Sequence, residues 1–168
     1  MTKLYAQPYN ISAIGFYFDS LESYQQQSKD LRDSFGQHVE EFEIQFIDGD
    51  DADMELFKAL GIHQGAIGQF YEAVESWDDD AKTRVAIAVG ECGYQFDLDK
   101  DCPEDLDMDI YEMDSLKDLA EEVVENGLFG TIPDNIRNYL DMDAIARDLS
   151  VDYNETVIAG RRLVYRCG

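Results

Sequence analysis

Residues 115–149, SLKDLAEEVVENGLFGTIPDNIRNYLDMDAIARDL, decide how the C-terminal third of the chain folds. Ser115 suits a helix N-cap with Asp118 as its capping partner, and Gly127 stands where a helix should end. On a helical wheel one side carries the apolar residues Leu116, Leu119, Ala120, Val123 and Val124, and the other carries the acids Asp118, Glu121, Glu122 and Glu125. Acids at this spacing lie roughly 6 Å apart and repel one another. The pattern predicts an amphipathic helix that carries a row of negative charge at some cost to its own stability.

Two further short helices are predicted after this one. The segment GLFGTIP interrupts the helical pattern, and DNIRNYL and DMDAIARDL follow it. Each of these begins with an aspartate, a residue type that is favoured at helix N-caps.

Net charge is the strongest compositional signal. The chain has 168 residues, is 45% hydrophobic and 12% aromatic, and carries a net charge of −24. A small domain needs a charge of only about 2–8 for solubility. Residues 1–60, 61–103 and 104–168 carry −8, −6 and −10. Because the charge is distributed and the apolar content is ordinary, the chain is predicted to be folded, without a separate acidic tail.

The rest of the sequence predicts strands near both ends and helices between them. Alternating or aromatic-rich runs indicate strands at 3–7, 13–18, 41–47 and 107–113, and a hairpin of 155–159 with 162–167 around Gly160. Helices are predicted within 20–37, after DGDDAD up to Gly61, and over 69–89, where Glu72, Glu75 and Asp79 line the polar face. The predicted fold class is therefore α+β, an elongated chain of small lobes. The predicted domains are residues 1–61 (α+β), 62–104 (helical) and 105–168 (α+β).

The sequence contains no complete motif for catalysis or metal binding. Asp97, Asp99 and Asp101 resemble the start of a calcium loop, but Cys102 stands where glycine is needed and Met108 where glutamate is needed. The two histidines, His38 and His63, have no zinc-site spacing, and GIHQGAIG lacks the lysine of a phosphate loop. We therefore expect no enzyme activity, no catalytic residue, no metal and no cofactor.

The N-terminal segment MTKLYAQPYN lacks the apolar region of a secretory signal, and no stretch approaches the ~20 apolar residues of a membrane span. The sequence predicts a cytoplasmic protein with no membrane partner.

Three classes of function remain open on composition alone. The first is an acidic soluble interaction domain whose charge is only a solvated surface, and the second is an enzyme with an unrecognised site. In the third, the acids themselves are functional and present carboxylates to a protein that is built to bind nucleic acid. Regular acid rows on separate predicted helices favour the third class.

A longer segment resembles a known family. The run ENGLFGTIPDNIRNYLD-x-D-AIARDL followed by a hairpin ending in LVYRC is similar to the C-terminal part of the ArdA-type antirestriction proteins, which plasmids and transposons carry. The N-terminal IGFYFD, the length and the charge match more loosely. The resemblance implies a DNA mimic, a curved homodimer that binds the DNA groove of Type I restriction–modification enzymes and does not itself bind nucleic acid.

The resemblance also implies roles for two groups of residues. Acids on the predicted helices and strands would stand in for phosphates, and the candidates are Glu72, Glu75, Asp79, Asp105, Asp107, Asp109, Glu112, Asp118, Glu121, Glu122 and Glu125. The segment 128–149 resembles the family's antirestriction motif. Its apolar residues are expected to be core or dimer contacts, and they are Leu128, Phe129, Ile132, Ile136, Tyr139 and Ile145.

Overall fold

The computed structural model describes residues 1–168 and has an α+β fold, as the sequence predicts. In chain order its elements are β1 (Lys3–Pro8), β2 (Phe16–Phe18), α1 (Leu21–Asp30), β3 (Phe42–Asp48), α2 (Asp51–Leu60), α3 (Ile67–Ser76), α4 (Asp79–Gly90), β4 (Met108–Glu112), α5 (Leu116–Glu125), α6 (Asp134–Arg137), α7 (Met142–Leu149), β5 (Asn154–Ile158) and β6 (Arg161–Cys167). Single-turn 3₁₀ helices occupy Gln64–Ala66 and Pro103–Asp105. Strands therefore lie towards both ends of the chain, and helices lie between them.

The chain divides into two units, Met1–Leu106 and Asp107–Gly168. Residues from both sides of Gly61 share one hydrophobic core in the first unit, where Leu4 and Phe42 belong to the same cluster as Phe70 and Val85. The division into three lobes, with a boundary at residue 61, stays a prediction.

The first unit is built on an antiparallel sheet in the order β2-β1-β3. Leu4 and Ala6 of β1 are fully buried, and each pairs with a buried or half-buried residue on both neighbouring strands. Aromatic rings cover this face of the sheet. The centroid of the Phe16 ring lies 5.6 Å from that of Phe42 and 5.9 Å from that of Tyr24. The alternation predicted for Phe42, Ile44 and Phe46 is present, with the first two buried and the third half-buried. Alternate burial follows from the two-residue period of strands.

The single helix predicted over 69–89 is wrong, because the chain forms two helices here. α3 ends at Ser76, Trp77 is extended, and α4 begins at Asp79. The carboxylate of Asp78 accepts the Ala81 backbone N–H at 2.8 Å, so Asp78 caps α4 instead of continuing α3. Trp77 is half-buried, and its ring lies edge-on to Phe96 at 5.9 Å.

Two other predicted boundaries also change. The helix predicted within 20–37 ends at Asp30, because the Asp33 carboxylate accepts the backbone N–H groups of Phe35 and Gln37, both at 2.9 Å, and holds a turn. Asp134 was expected to cap its helix, but Pro133 is the N-cap of α6 and makes no side-chain cap. By contrast Asp141 caps α7 as predicted, with its carboxylate 3.0 Å from the Ala144 nitrogen.

The second unit contains an antiparallel sheet in the order β4-β6-β5. The predicted hairpin is formed by β5 and β6, and its turn residues Ala159 and Gly160 both have positive φ, 51° and 73°. Two consecutive residues with positive φ are typical of the tight type I′ turn, which matches the twist of paired strands. α5 packs against α7, and its buried residues are Leu119, Ala120 and Val124.

Candidate partner-binding surfaces

α5 presents the predicted row of acids on its outer face. The Ser115 hydroxyl accepts the Asp118 backbone N–H at 3.3 Å and lies 3.0 Å from the Asp118 carboxylate, so the helix start is capped as predicted. Gly127, with φ 73°, ends the helix in the left-handed conformation. Asp118, Glu121 and Glu125 are exposed and Glu122 is half-buried, opposite the buried Leu119, Ala120 and Val124.

No basic side chain of the protein forms an ion pair with the acids of this row. The Glu122 carboxylate accepts only a weak bond from Asn126, at 3.4 Å, and Glu121 and Glu125 bond to no side chain. The nearby Lys117 pairs instead with Asp143 of α7 at 3.1 Å, and that hydrogen bond raises the pKa of Lys117. The charge of Glu121 contributes to the same rise in pKa, without a direct contact. The α5 row, defined as Asp118, Glu121, Glu122 and Glu125, is therefore a line of carboxylates that form no direct ion pair within the chain.

The two acids of β4 differ from those of α5 because both are paired across the sheet. Arg166 of β6 lies directly opposite Asp109 and donates to its carboxylate at 2.5 Å, which raises the pKa of Arg166. The same guanidinium lies over the Tyr153 ring, 5.3 Å from its centroid. Glu112 accepts a bond from Arg161 at 2.7 Å. Asp109 and Glu112 therefore stabilise the sheet, and their charge is largely neutralised locally.

The remaining predicted acids lie elsewhere on the surface. Glu72 and Glu75 are exposed on α3, whereas the exposed Asp79 belongs to the first turn of α4. The three residues do not form one row on one helix, because the chain breaks between the helices. Asp105 ends the second 3₁₀ helix of the first unit and Asp107 begins the second unit, and both are exposed.

Several exposed acids were missed in the sequence. In the second unit Asp134, Asp148 and Asp152 are exposed, and the seven-residue spacing of Asp134 and Asp148 from the exposed Asp141 was the available signal. In the first unit Glu41 and Glu43 are exposed beside β3, where their alternation with Phe42 and Ile44 was the available signal. The negative surface is therefore broader than the predicted set.

Four of the six apolar residues predicted as core or dimer contacts in the segment 128–149 are exposed. Leu128 is 74% exposed, Phe129 59% and Tyr139 86%, while Ile132 and Ile145 are half-buried. Ile136 is exposed on the short helix α6. The core of this chain therefore does not include Leu128, Phe129, Ile136 or Tyr139. The alternative role, contact with another chain, remains compatible with their exposure.

Metal-binding clusters and membrane-spanning helices are both absent from the structure. No set of three or more His, Cys, Asp or Glu side chains is arranged to hold a metal ion. None of the helices has both the length and the apolar character that a membrane span requires.

Comparison with protein families gives one match. No curated protein matches the chain significantly. The family model described as antirestriction protein (ArdA) matches residues 10–161, which includes β2, all seven helices and the α5 row. Since this match covers most of the 168 residues, the chain belongs to the ArdA family of antirestriction proteins.

Proposed function

We propose that this protein mimics DNA and blocks the DNA-binding groove of Type I restriction–modification enzymes. The observation that carries the proposal is the α5 row, whose exposed or half-buried carboxylates lie on a capped helix and form no direct ion pair with a cation of the chain. Carboxylates in this state can accept charge-assisted hydrogen bonds from the Lys and Arg side chains that normally bind phosphates.

Spacing along α5 supports the comparison with a DNA strand. A helix rises about 1.5 Å per residue, so the seven residues from Asp118 to Glu125 cover about 10.5 Å. The four acids divide this length into intervals of about 4.5, 1.5 and 4.5 Å, with a mean of about 3.5 Å, and phosphates of one DNA strand advance about 3.4 Å per nucleotide along the axis. Charge on α5 is therefore as dense along its axis as charge on one strand of a duplex.

Total charge is also sufficient for a long groove. Duplex DNA carries one charge per ~1.7 Å, so the net charge of −24 corresponds to about 41 Å of duplex. A homodimer would match about 82 Å, or roughly 24 base pairs. The same distributed field would steer the protein towards a basic cleft and raise the rate of association.

Dimerisation is part of the proposal. Leu128, Phe129 and Tyr139 expose apolar surface in the second unit, and β5 is an edge strand of its sheet. Exposed apolar side chains and an unpaired strand edge are both suited to self-complementary contact across a two-fold axis. The occupant of this surface would be a second copy of the chain.

Inhibition of this kind requires no bond to be made or broken, and therefore no catalytic residue or cofactor. The inhibitor must only occupy the groove more favourably than DNA does. Since its target would act on DNA inside the cell, the proposed location is the cytoplasm.

A competition measurement tests the proposal. A fluorescent duplex that contains the recognition site is bound to a Type I methyltransferase core, and the purified protein is added while anisotropy is followed. Full displacement of the duplex at submicromolar protein is expected. The matched control is the variant Asp118→Asn/Glu121→Gln/Glu122→Gln/Glu125→Gln, which should displace the duplex much less well. A ternary complex of enzyme, DNA and this protein would contradict the proposal.

A further inference from the structure

A cavity in the first unit combines an apolar floor with an acidic rim. Its volume is about 560 Å³, within the range of small-ligand pockets. The apolar side chains that line it are Leu60, Ile62, Phe96 and Leu98, and the acids are Asp97, Asp99 and Asp101. In the sequence these acids resemble only the start of an incomplete calcium loop, and none of them belongs to the predicted phosphate-mimic set.

Hydrogen bonds fix the rim. The Asp101 carboxylate accepts the Asp97 backbone N–H at 2.7 Å, and Asp97 accepts the Asp99 backbone N–H at 3.0 Å. The Asp99 carboxylate in turn accepts a bond from Gln69 at 3.3 Å. Lys100 pairs with Asp97, and its pKa is raised first by that bond and to a lesser degree by the charges of Asp99 and Asp101. The three carboxylates therefore share one cation, which does not itself line the cavity. The rim therefore keeps an excess of two negative charges in place beside apolar surface.

The side chains that line the cavity limit the kind of ligand group that it can bind. The acids are not arranged to hold a metal ion, and an anionic ligand such as a nucleotide would be repelled. A group with an apolar stem and a cationic end satisfies both parts of the cavity. Arginine fits best because its planar guanidinium is weakly hydrated, stacks on aromatic rings and binds carboxylates through two parallel bonds. The Phe96 ring, held edge-on by Trp77 at 5.9 Å, offers such a surface.

We propose that this cavity receives an arginine side chain of the basic partner, so that binding has one discrete anchor in addition to the distributed charge. The inference rests on the proposed function for the identity of the partner. The anchor makes a different prediction from DNA mimicry alone. Under mimicry alone, each exposed acid contributes about equally to affinity for the partner. With an anchor, the cavity contributes more affinity than two exposed acids would.

Two variants test the anchor in the competition assay. Asp99→Asn/Asp101→Asn removes charge and retains an oxygen for each internal hydrogen bond. Its control, Glu41→Gln/Glu43→Gln, removes two exposed charges elsewhere in the first unit. Gln95→Trp fills the cavity from its exposed rim without a change of charge, and Gln26→Trp on α1 is the matched control. We expect a loss of about tenfold in affinity for each cavity variant and less than about threefold for each control, as hot spots behave.

A direct measurement separates the anchor from the proposed function. N-acetyl-arginine amide is titrated into the full-length protein and followed by backbone amide NMR, with N-acetyl-lysine amide in parallel. Saturable shifts are expected at Gly65, Phe96 and Leu98 with arginine, weaker shifts with lysine, and none with Gln95→Trp. These shifts would persist even if the protein failed to displace DNA, which would refute only the proposed function.

Two results would overturn the anchor. One is arginine-induced shifts that are spread evenly over the acidic surface or are absent. The other is a protein that displaces DNA while the cavity variants behave like their controls.

Discussion

Lys82 Nζ lies 2.7 Å from Asp53 Oδ1, and both side chains are almost completely buried in the first unit. The Thr2 hydroxyl donates to the other carboxylate oxygen at 2.5 Å. One of the few cations of this acidic chain is therefore enclosed inside the protein, where it offsets a single buried carboxylate and contributes nothing to the surface.

Loss of one partner of this buried pair should destabilise the protein. Lys82→Met leaves the Asp53 carboxylate buried and without its cation, so the free energy of unfolding should fall by about 3–5 kcal/mol. Lys82→Met/Asp53→Leu removes both charges and should recover much of that loss. Urea unfolding of the two variants and of the original protein measures the difference. Equal destabilisation by the single and the double variant would contradict this account.

Charge on α5 should act collectively. Glu121→Gln should cost about 1 kcal/mol or less of target binding, because an exposed pair is largely solvated. Amidation of the whole α5 row should cost several times as much and should leave the melting temperature unchanged or higher, since it removes like-charge repulsion. Competition assays and thermal melts measure both effects. If one single amide abolished binding without unfolding the protein, a discrete catalytic or binding site would be indicated.

An acid that is already ion-paired should contribute less to target binding than an acid of the α5 row. Asp109→Asn should lower stability by weakening the bond to Arg166 and should change target binding less than Glu125→Gln, because Asp109 is already neutralised by its partner. Melting temperature and competition midpoint, measured on the same samples, separate the two effects. A larger loss of binding for Asp109→Asn would assign that carboxylate to the target contact.

Removal of exposed apolar side chains should dissociate the proposed dimer. Leu128 and Phe129 are exposed, so Leu128→Ser/Phe129→Ser should leave the fold of each chain intact and shift the protein from dimer to monomer. Sedimentation at micromolar concentration measures the change. Val151→Ser, at an 82% exposed valine outside the segment, is the control and should remain dimeric. A dimeric double serine variant would place the interface elsewhere.

Asp33 should make the first unit sensitive to acid. Bonds from the Gln37 and Phe35 backbone N–H groups lower the pKa of Asp33 in the folded protein. A carboxyl with a lowered folded pKa stabilises the fold above its unfolded pKa, and this stabilisation is lost as pH falls through the folded pKa. Asp33→Asn should therefore reduce stability at neutral pH and flatten its fall below about pH 4. Melting temperature measured from pH 7 to pH 3 tests the difference.

α5 and the C-terminal hairpin could be predicted from the sequence because the residues that determine them are close together in the chain. α5 depends on a cap, an apolar stripe and a terminal glycine that all lie within thirteen residues, and the hairpin turn depends on two adjacent residues. The helix break before Asp78 does not follow from the sequence pattern, since an aspartate after a tryptophan is compatible with a helix interior and with an N-cap. Only the hydrogen bond to Ala81 distinguishes them.

Non-local pairing explains what the sequence could not reveal about the candidate site. Asp109 and Glu112 have the same composition and spacing signals as the acids of α5, but their partners Arg166 and Arg161 are 57 and 49 residues away. Likewise, the segment 128–140 has the apolar content of a core element, but most of its large apolar side chains are exposed. Sequence patterns therefore identified which residues are acidic or apolar, whereas the fold determines which of them are available.

Because the exposed apolar side chains belong to a highly charged chain, dimerisation and binding to the target should respond to salt in opposite directions. Association of two copies, each of net charge −24, is opposed by long-range repulsion that salt screens, so ionic strength should favour the dimer. Contact with a basic groove is favoured by attraction that the same salt screens, so ionic strength should weaken it. If both contacts are required, inhibition should pass through a maximum at intermediate ionic strength. The protein would then resemble a polyelectrolyte whose assembly and activity are tuned by one variable in the surrounding solution.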